Sequence, residues 1–426
     1  MLCGSPEVTR SGTAQAADVA KASGTAKVAD VAGAAAAILP AGRAVTGVGA
    51  DKPIGFRLFP ASSPWNADVS DLPVHPLSPT YLAAMGLDTG LHPDFGTTWN
   101  GAPNGIPYVI VRRGQRRVPI SFSYRDESDP GPYPIPRDAP IEGGSASDGD
   151  RHIIVLDKDR RLLYEVYDAH YDARHGRWRA GSGAIWDLRV NTVRPDGWTS
   201  ADAAGLPMLP GLVRYDEVQR GEIRHALRFT VSRTQRAYLY PATHFASSSI
   251  DPTLPPMGLR VRLRADYPLD GFSRPVRVIL TALKRYGMLV ADNGGPWYIS
   301  GAPDPRWNDD VLHELSRVRG RDFEVVDTGV LEPLRPLIYA GRGTTLWRGG
   351  TLRRRATFAD PGGGGWTARV SWGDGSQSQT LRVSGDQRLR LVHRYTRPGR
   401  HRVTVRVTNA AGVTGSRSFL VTVRRR

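Results

Sequence analysis

The chain has 426 residues, enough for two or three domains that each bury a core, and its 40% apolar and 23% charged fractions are those of an ordinary globular protein. A single cysteine, Cys3, excludes a disulfide framework, a zinc knuckle or a cysteine nucleophile from the folded body. The net charge of +16 is concentrated at one end: residues 351–426 hold 16 arginines, no lysine and three acids (Asp360, Asp374, Asp386), or +13 of the total.

Residues 1–50 are rich in Ala, Gly, Thr and Val and lack a sustained amphipathic period. Within them "VAGAAAAILPAG" (31–42) is long enough for the core of an export signal and too short to span a bilayer. Asp30 and Asp18 weaken its flanks, so the segment reads as either export-related or disordered. No other stretch qualifies as a membrane span. With 47 glycines and 33 prolines, the chain favours short strands and many turns.

Residues 54–330 read as one large, mainly-β, jelly-roll-like sandwich domain with a few short helices. "GIPYVIVRRG" and "RRVPISFSY" look like paired strands around a glycine turn, and "RHIIVLDKDRRLLYEVYDAHY" is a hairpin about "DKDRR". "RWRAGSGAIWDLR" adds a strand. Short helical turns are expected at "TSADAAG" and "YDEVQRGEIRHAL", the latter feeding a strand in "RFTV". "RAYLYPATHFASS" and "GLRVRLRADY" continue the β pattern. One firm helix follows in "RPVRVILTALKRYG", where Val276, Ile279, Leu280 and Leu283 share a face and Gly287 marks the stop. Strands in "MLVADN" and "PWYISG" and a short helix near "DDVLHELSRV" close the domain. Residues 331–344 read as a linker.

The C-terminal stretch, 345–426, carries the most specific pattern. Asp-Gly in "WGDGS" (Trp372 to Ser376) is a tight-turn signal, and Val403, Val405 and Val407 alternate with Arg402, Thr404 and Arg406 as on a half-buried strand. His393 and Tyr395 in an "HxY" pattern, Pro398-Gly399, "VTVRVTN" and "FLVTV" complete a set that resembles the PKD domain. The resemblance implies an immunoglobulin-like sandwich of a kind common on exported microbial proteins. The region departs from the usual surface of that fold in being decorated by arginine. Only five of the 57 basic residues are lysine, a bias that a GC-rich codon supply produces on its own. The outward arginines, Arg388, Arg390, Arg402 and Arg406 among them, would attract anionic envelope polymers or nucleic acid, although no nucleic-acid-binding motif accompanies them.

The large domain also resembles β-rich bacterial proteins of unassigned activity, many expected to be exported, through "DGWTSADAAGLPMLPGLVRYDEV", "GEIRHALRFTV", "PPMGLRVRLRADY" and "LKRYGMLVADNG". That similarity implies no catalytic residues.

The candidate chemistry starts in "YDEVQRGEIRHALRFTV" (215–231). Glu217, Asp216 and His225 have the side chains that acid–base work on a glycosidic link requires, with His152, His170 or His244 available from other strands. The same stretch also reads as a short helix with acids in its first turn and a histidine packed at its end. Tryptophans beside Gly, Asp, Asn or Pro suit stacking on sugar rings, so Trp198, Trp297, Trp186 and Trp307, with His244, are the candidate substrate contacts. There is no His-x-Glu-x-His or Asp-rich loop for a metal, no nucleophile elbow, and no lysine after the glycine run 362–365 to make it a phosphate loop. No cofactor is expected. The resulting expectation is an extracellular or cell-surface protein that binds or cleaves a polysaccharide or envelope polymer. The other reading is a non-catalytic adhesion protein using the same groove.

Overall fold

The computed structural model describes residues 53–191, 193–329, 336–341, 343–360, 365–383, 387–410 and 414–425. The expectations for residues 1–50 and for 331–335 and 342 of the linker lie outside them. Among the described residues the chain is mainly β, with several sheets and few helices, in agreement with the fold class read from the sequence.

Two sheets make the body of the large domain. A four-stranded sheet has the order Ser182–Asp187, Leu162–Tyr167, Ile153–Asp157, Tyr108–Val111. Its third strand, "IIVLD", is buried along its whole length, because both faces are covered. Ile154 and Leu156 point into the main core, while Ile153 and Val155 point into a second core built around Tyr133, Tyr164 and Trp178. The six-stranded sheet runs His92–Asp94, Tyr298–Ser300, Leu227–Val231, Met288–Asn293, Arg260–Leu263, Phe323–Val325. The main core lies between these two sheets.

The Arg274–Arg285 helix forms as its spacing dictates: Val276, Ile279, Leu280 and Leu283 are all buried, and Gly287 follows with φ of +63°. The 153–167 hairpin also forms, in antiparallel register from Ile153↔Val166 to Asp157↔Leu162. Other pairings differ from expectation. Tyr108–Val111 and Ile120–Phe122 do not pair with each other; the first runs parallel to Ile153–Asp157 and the second parallel to Arg177–Ala180. Strand Leu227–Val231 is parallel to Met288–Asn293, and His92–Asp94 is parallel to Tyr298–Ser300. Such mixed pairing is not the antiparallel order of a jelly roll, and it brings together residues far apart in the chain. "TSADAAG" forms turns rather than a helix, and "RAYLYPATHFASS" contributes only a single bridge, Tyr238↔Met257.

The C-terminal module is a sandwich of a three-stranded sheet (Leu337–Tyr339, Thr351–Ala359, Arg388–Arg394) and a five-stranded sheet (Thr344–Trp347, Thr414–Arg424, Gly399–Thr408, Thr367–Ser371, Gln379–Leu381). Its first strand begins inside the segment read as a linker. Trp372, Tyr395, Val403, Val405 and Val407 fill a core of its own.

Candidate functional site

Two polar centres lie in the large domain. The first contains the residues singled out in "YDEVQRGEIRHALRFTV". Tyr215–Arg220 is one and a half turns of helix, ended by Gly221 at φ of +92°, a left-handed position that glycine adopts without strain. Asp216 and Glu217 sit in its first turn, as expected, and Arg214 occupies the N-cap position. The turn places Glu217 Oε2 2.8 Å from Arg214 and 3.0 Å from His225 Nε2. Arg214 is buried and also donates to the carbonyls of Leu209 and Leu212. His225 Nδ1 donates to the Ala226 carbonyl at 2.9 Å, and its Nε2 meets Glu217 Oε2 and Arg214, each at 3.0 Å. The group borders a cavity of about 500 Å³ whose walls include Ile54, Phe56, Arg57, Arg220 and Arg224, and no tryptophan.

Burial works against the charge on Glu217, but Arg214 and then His225 overcome it and bring its pKa down to about 2. Asp216 is paired with Arg220 at 3.0 Å and Glu222 with Arg224 at 2.6 Å. Each carboxylate of this cavity is therefore tied to an arginine. Glu217, held ionised in this way, cannot serve as a proton donor near neutral pH.

The expected tryptophan platforms are mostly core. Trp297 is fully buried, donates to the Met85 and Gly86 carbonyls and packs on Phe229 and Phe323. Trp186 is buried and donates to Glu165, a carboxyl that burial raises to about 7 despite the Leu209 and Met208 amides. Trp307 is buried between Phe95 and Tyr215 and donates to Ala302. Their ring faces are taken up by protein. Trp198 is half-buried under the Arg194 guanidinium, and His244, whose pKa burial lowers, donates from Nδ1 to Ala203. These two flank the 200–206 loop, next to the second centre.

That second centre joins the two large sheets. Arg228, on Leu227–Val231, is buried and donates to Asp202 at 2.9 Å and to Ser300 at 2.5 Å. His152, just before Ile153–Asp157, is held by Glu142 at 2.5 Å through Nδ1 and by the Ala201 carbonyl at 3.0 Å through Nε2. Two acceptors on opposite ring nitrogens require an imidazolium. Burial opposes that charge, Glu142 outweighs the burial, and the pKa is raised to about 9. Glu142 is held correspondingly low. Three more acids belong to this centre: Asp150 senses the His152 charge, Asp94 from His92–Asp94 senses Glu142 and Arg228, and Asp292 senses Asp202 and Arg228. Asp292 is half-buried; desolvation, then the neighbouring Asp202, raise it to about 7. Asp94 keeps part of its surface open, yet desolvation by its crowded surroundings, then Glu142, raise it to about 6. The centre thus sets carboxyls that titrate near neutrality beside one that stays ionised. Sequence reading touched it only through His152 and His244; its acids come from separate stretches that carry no local motif. Among the described residues, no three His, Cys, Asp or Glu side chains are grouped to hold a metal ion.

In the C-terminal module the "WGDGS" turn is structural. Gly373 has φ of +73°, and a Cβ there would lie 2.3 Å from the Arg402 carbonyl. Asp374 accepts from the Ser376 amide and hydroxyl and binds His393 Nε2 at 2.7 Å. His393 in turn stacks on Trp372, 4.6 Å between centroids and 7° from parallel, while the Tyr395 hydroxyl donates to the Trp372 carbonyl. These contacts consume the whole motif in joining one turn to the two sheets of an immunoglobulin-like sandwich. Residues 334–423 match the family model described as PKD domain, and this part of the chain is a PKD domain.

Solved structures similar to it include the PKD domain of an M14-like peptidase from Thermoplasmatales archaeon SCGC AB-540-F20, at 19% identity over 21% of this chain and 92% of that one, with a TM-score of 0.17. The PKD domain of human KIAA0319 is similar at 17% identity, over 22% of this chain and 83% of that one, with a TM-score of 0.16. Titin domain M7 is similar at 20% identity, over 21% of this chain and 95% of that one, with a TM-score of 0.18. No curated protein matches the chain.

Proposed function

We propose that the large domain hydrolyses a glycosidic link in an extracellular or cell-surface polysaccharide, with the PKD domain as its accessory module. The observation that carries this reading is the second polar centre. Asp292 and Asp94 titrate at about 7 and about 6, while Glu142 remains a carboxylate beside His152. A protonated carboxyl donates to the leaving oxygen, and an ionised one supplies the base or nucleophile. Arg228 and the His152 imidazolium fix the charge balance. Half-buried Trp198 and Tyr167 border the same loops and offer aromatic surface for a sugar ring. The export reading rests on the PKD domain; among the described residues no helix is long and apolar enough to cross a membrane.

The test is new reducing ends from a panel of neutral and acidic polysaccharides. Cleavage is expected to fall by a factor of about 10² or more in Asp292→Asn or Asp94→Asn, with folding retained by circular dichroism. It is also expected to decline as pH rises through about 7, where Asp292 loses its proton. If Glu217→Gln abolishes cleavage and Asp292→Asn and Asp94→Asn do not, the chemistry belongs to the arginine-lined cavity instead. Retention on an insoluble polysaccharide without any product would establish the non-catalytic adhesion reading.

A further inference from the structure

We propose that the outer face of the three-stranded sheet in the PKD domain is a docking surface for an anionic polysaccharide, one whose sugars carry carboxylate or sulfate groups. This surface is separate from the polar centre of the large domain and does not require that centre to be catalytic.

On Thr351–Ala359, Leu352, Ala356 and Phe358 are buried, so Arg353 and Arg355 project to solvent. On Arg388–Arg394, Leu389 and Leu391 are buried, and Arg388 and Arg390 project from the same face. The register sets Arg355 directly opposite Arg390 and Arg353 opposite Val392. Like charges facing each other across an antiparallel pair destabilise it. A codon bias explains many arginines, but it does not explain their convergence on one groove. With Arg382 at the groove's edge, these side chains line an open concavity of about 830 Å³. Arg353, Arg355 and Arg390 have no hydrogen-bond or ion-pair partner among the described residues. Their guanidinium forks are thus available for bidentate carboxylate or sulfate contacts.

The geometry suits an extended chain. Arginines two residues apart on one strand repeat at about 6.6 Å, and neighbours across strands at about 4.8 Å. The lattice therefore offers several cations to a polymer lying along the sheet. Nucleic acid is the poorer fit: the groove's other lining residues are Arg354, Val383, Leu389 and Val392, with no aromatic ring on which a base would stack. Nor does the groove present a helix or ribbon to enter a duplex groove. The five-stranded sheet also sets Arg369 opposite Arg406, but there the arginines stand among Thr404, Ser416 and Ser418.

The full chain should be tested by interferometry on immobilised alginate (carboxylate), heparin (sulfate) and dextran (neutral), with a 20-nucleotide single strand and a duplex in solution as competitors. Binding to alginate, heparin or both is expected, with little to dextran, and affinity should fall steeply with added salt. Arg353→Gln/Arg355→Gln/Arg390→Gln should weaken that binding at least tenfold and flatten the salt dependence. Arg400→Gln/Arg402→Gln/Arg406→Gln removes the same charge from the other sheet and should change it less than threefold. The proposal is overturned if neither anionic polymer binds, if dextran binds as well, if both triple variants lose affinity equally, or if an oligonucleotide binds more tightly at matched salt. Circular dichroism of both variants keeps a folding failure from being read as lost binding.

Discussion

Glu217 shows how a single residue changes meaning once its neighbours are in place. Its sequence context offers a carboxylate and a histidine eight residues apart; the fold brings the two within 3.0 Å and sets the buried Arg214 against both. The pair with Arg214 is largely removed from water, so taking away one partner strands a buried charge. Glu217→Gln should lower stability by about 3 kcal/mol in urea unfolding near pH 7. The pH dependence has a definite sign. Because the folded pKa, about 2, is below the ordinary 4.5, the contribution is complete above 4.5 and is lost as pH falls through about 2. Wild type and variant should therefore converge in stability at acid pH. His152 has the opposite sign. Its folded pKa of about 9 exceeds the ordinary 6.5, so its contribution is complete below 6.5 and fades as pH rises through about 9. The melting temperature of the wild type should drop more than that of His152→Gln between pH 7 and 9.5; equal slopes would refute the imidazolium–Glu142 pair.

At the scale of the element, what was legible was what is local. The Arg274–Arg285 helix announces itself by four apolar residues on one face and a glycine stop, and each of those residues is buried. Leu280→Ala should therefore cost about 2–5 kcal/mol, read as a shift in the urea midpoint without a change in slope. Gly287→Ala tests the stop itself: φ is +63° there, and an added Cβ would lie 2.3 Å from the Val261 carbonyl, so the backbone of a central strand must move. A loss of about 1–2 kcal/mol or more is expected from the strained conformation and the clash together. The 153–167 hairpin was legible for the same reason, since its two strands are joined by four residues, Lys158 to Arg161. The parallel pairs were not, because nothing in "GIPYVIVRRG" specifies that its partner is "IIVLD", more than 40 residues on. The second polar centre inherits that difficulty. Asp94, Glu142, Asp202, Arg228 and Asp292 come from different elements, and only the pairing of Leu227–Val231 with Met288–Asn293 sets Arg228 and Asp292 on adjacent strands. The tryptophans misled for a related reason: Trp beside Gly or Pro is equally what a β-sheet core needs where chains turn closely.

For the whole molecule, the decisive feature is that the apolar residues separate into distinct cores. Those of the large domain draw only on residues between Ile54 and Val325, and that of the PKD domain only on residues between Ile338 and Val423. A core shared by no residue of its neighbour leaves each unit free to unfold without exposing the other. Scanning calorimetry of the full chain should therefore show at least two transitions. Trp372→Ala offers the means of assigning them. The ring is buried in the PKD domain, stacked on His393, and adjoins the carbonyl that receives the Tyr395 hydroxyl. Its removal leaves a cavity and should cost about 3–5 kcal/mol, enough to move one transition by roughly 10 °C or more in a unit of this size. The other transition, belonging to the large domain, should stay where it is. A single transition that shifts as a whole would mean that the two cores are energetically one, and that the PKD domain braces the large domain rather than standing beside it as a separable module.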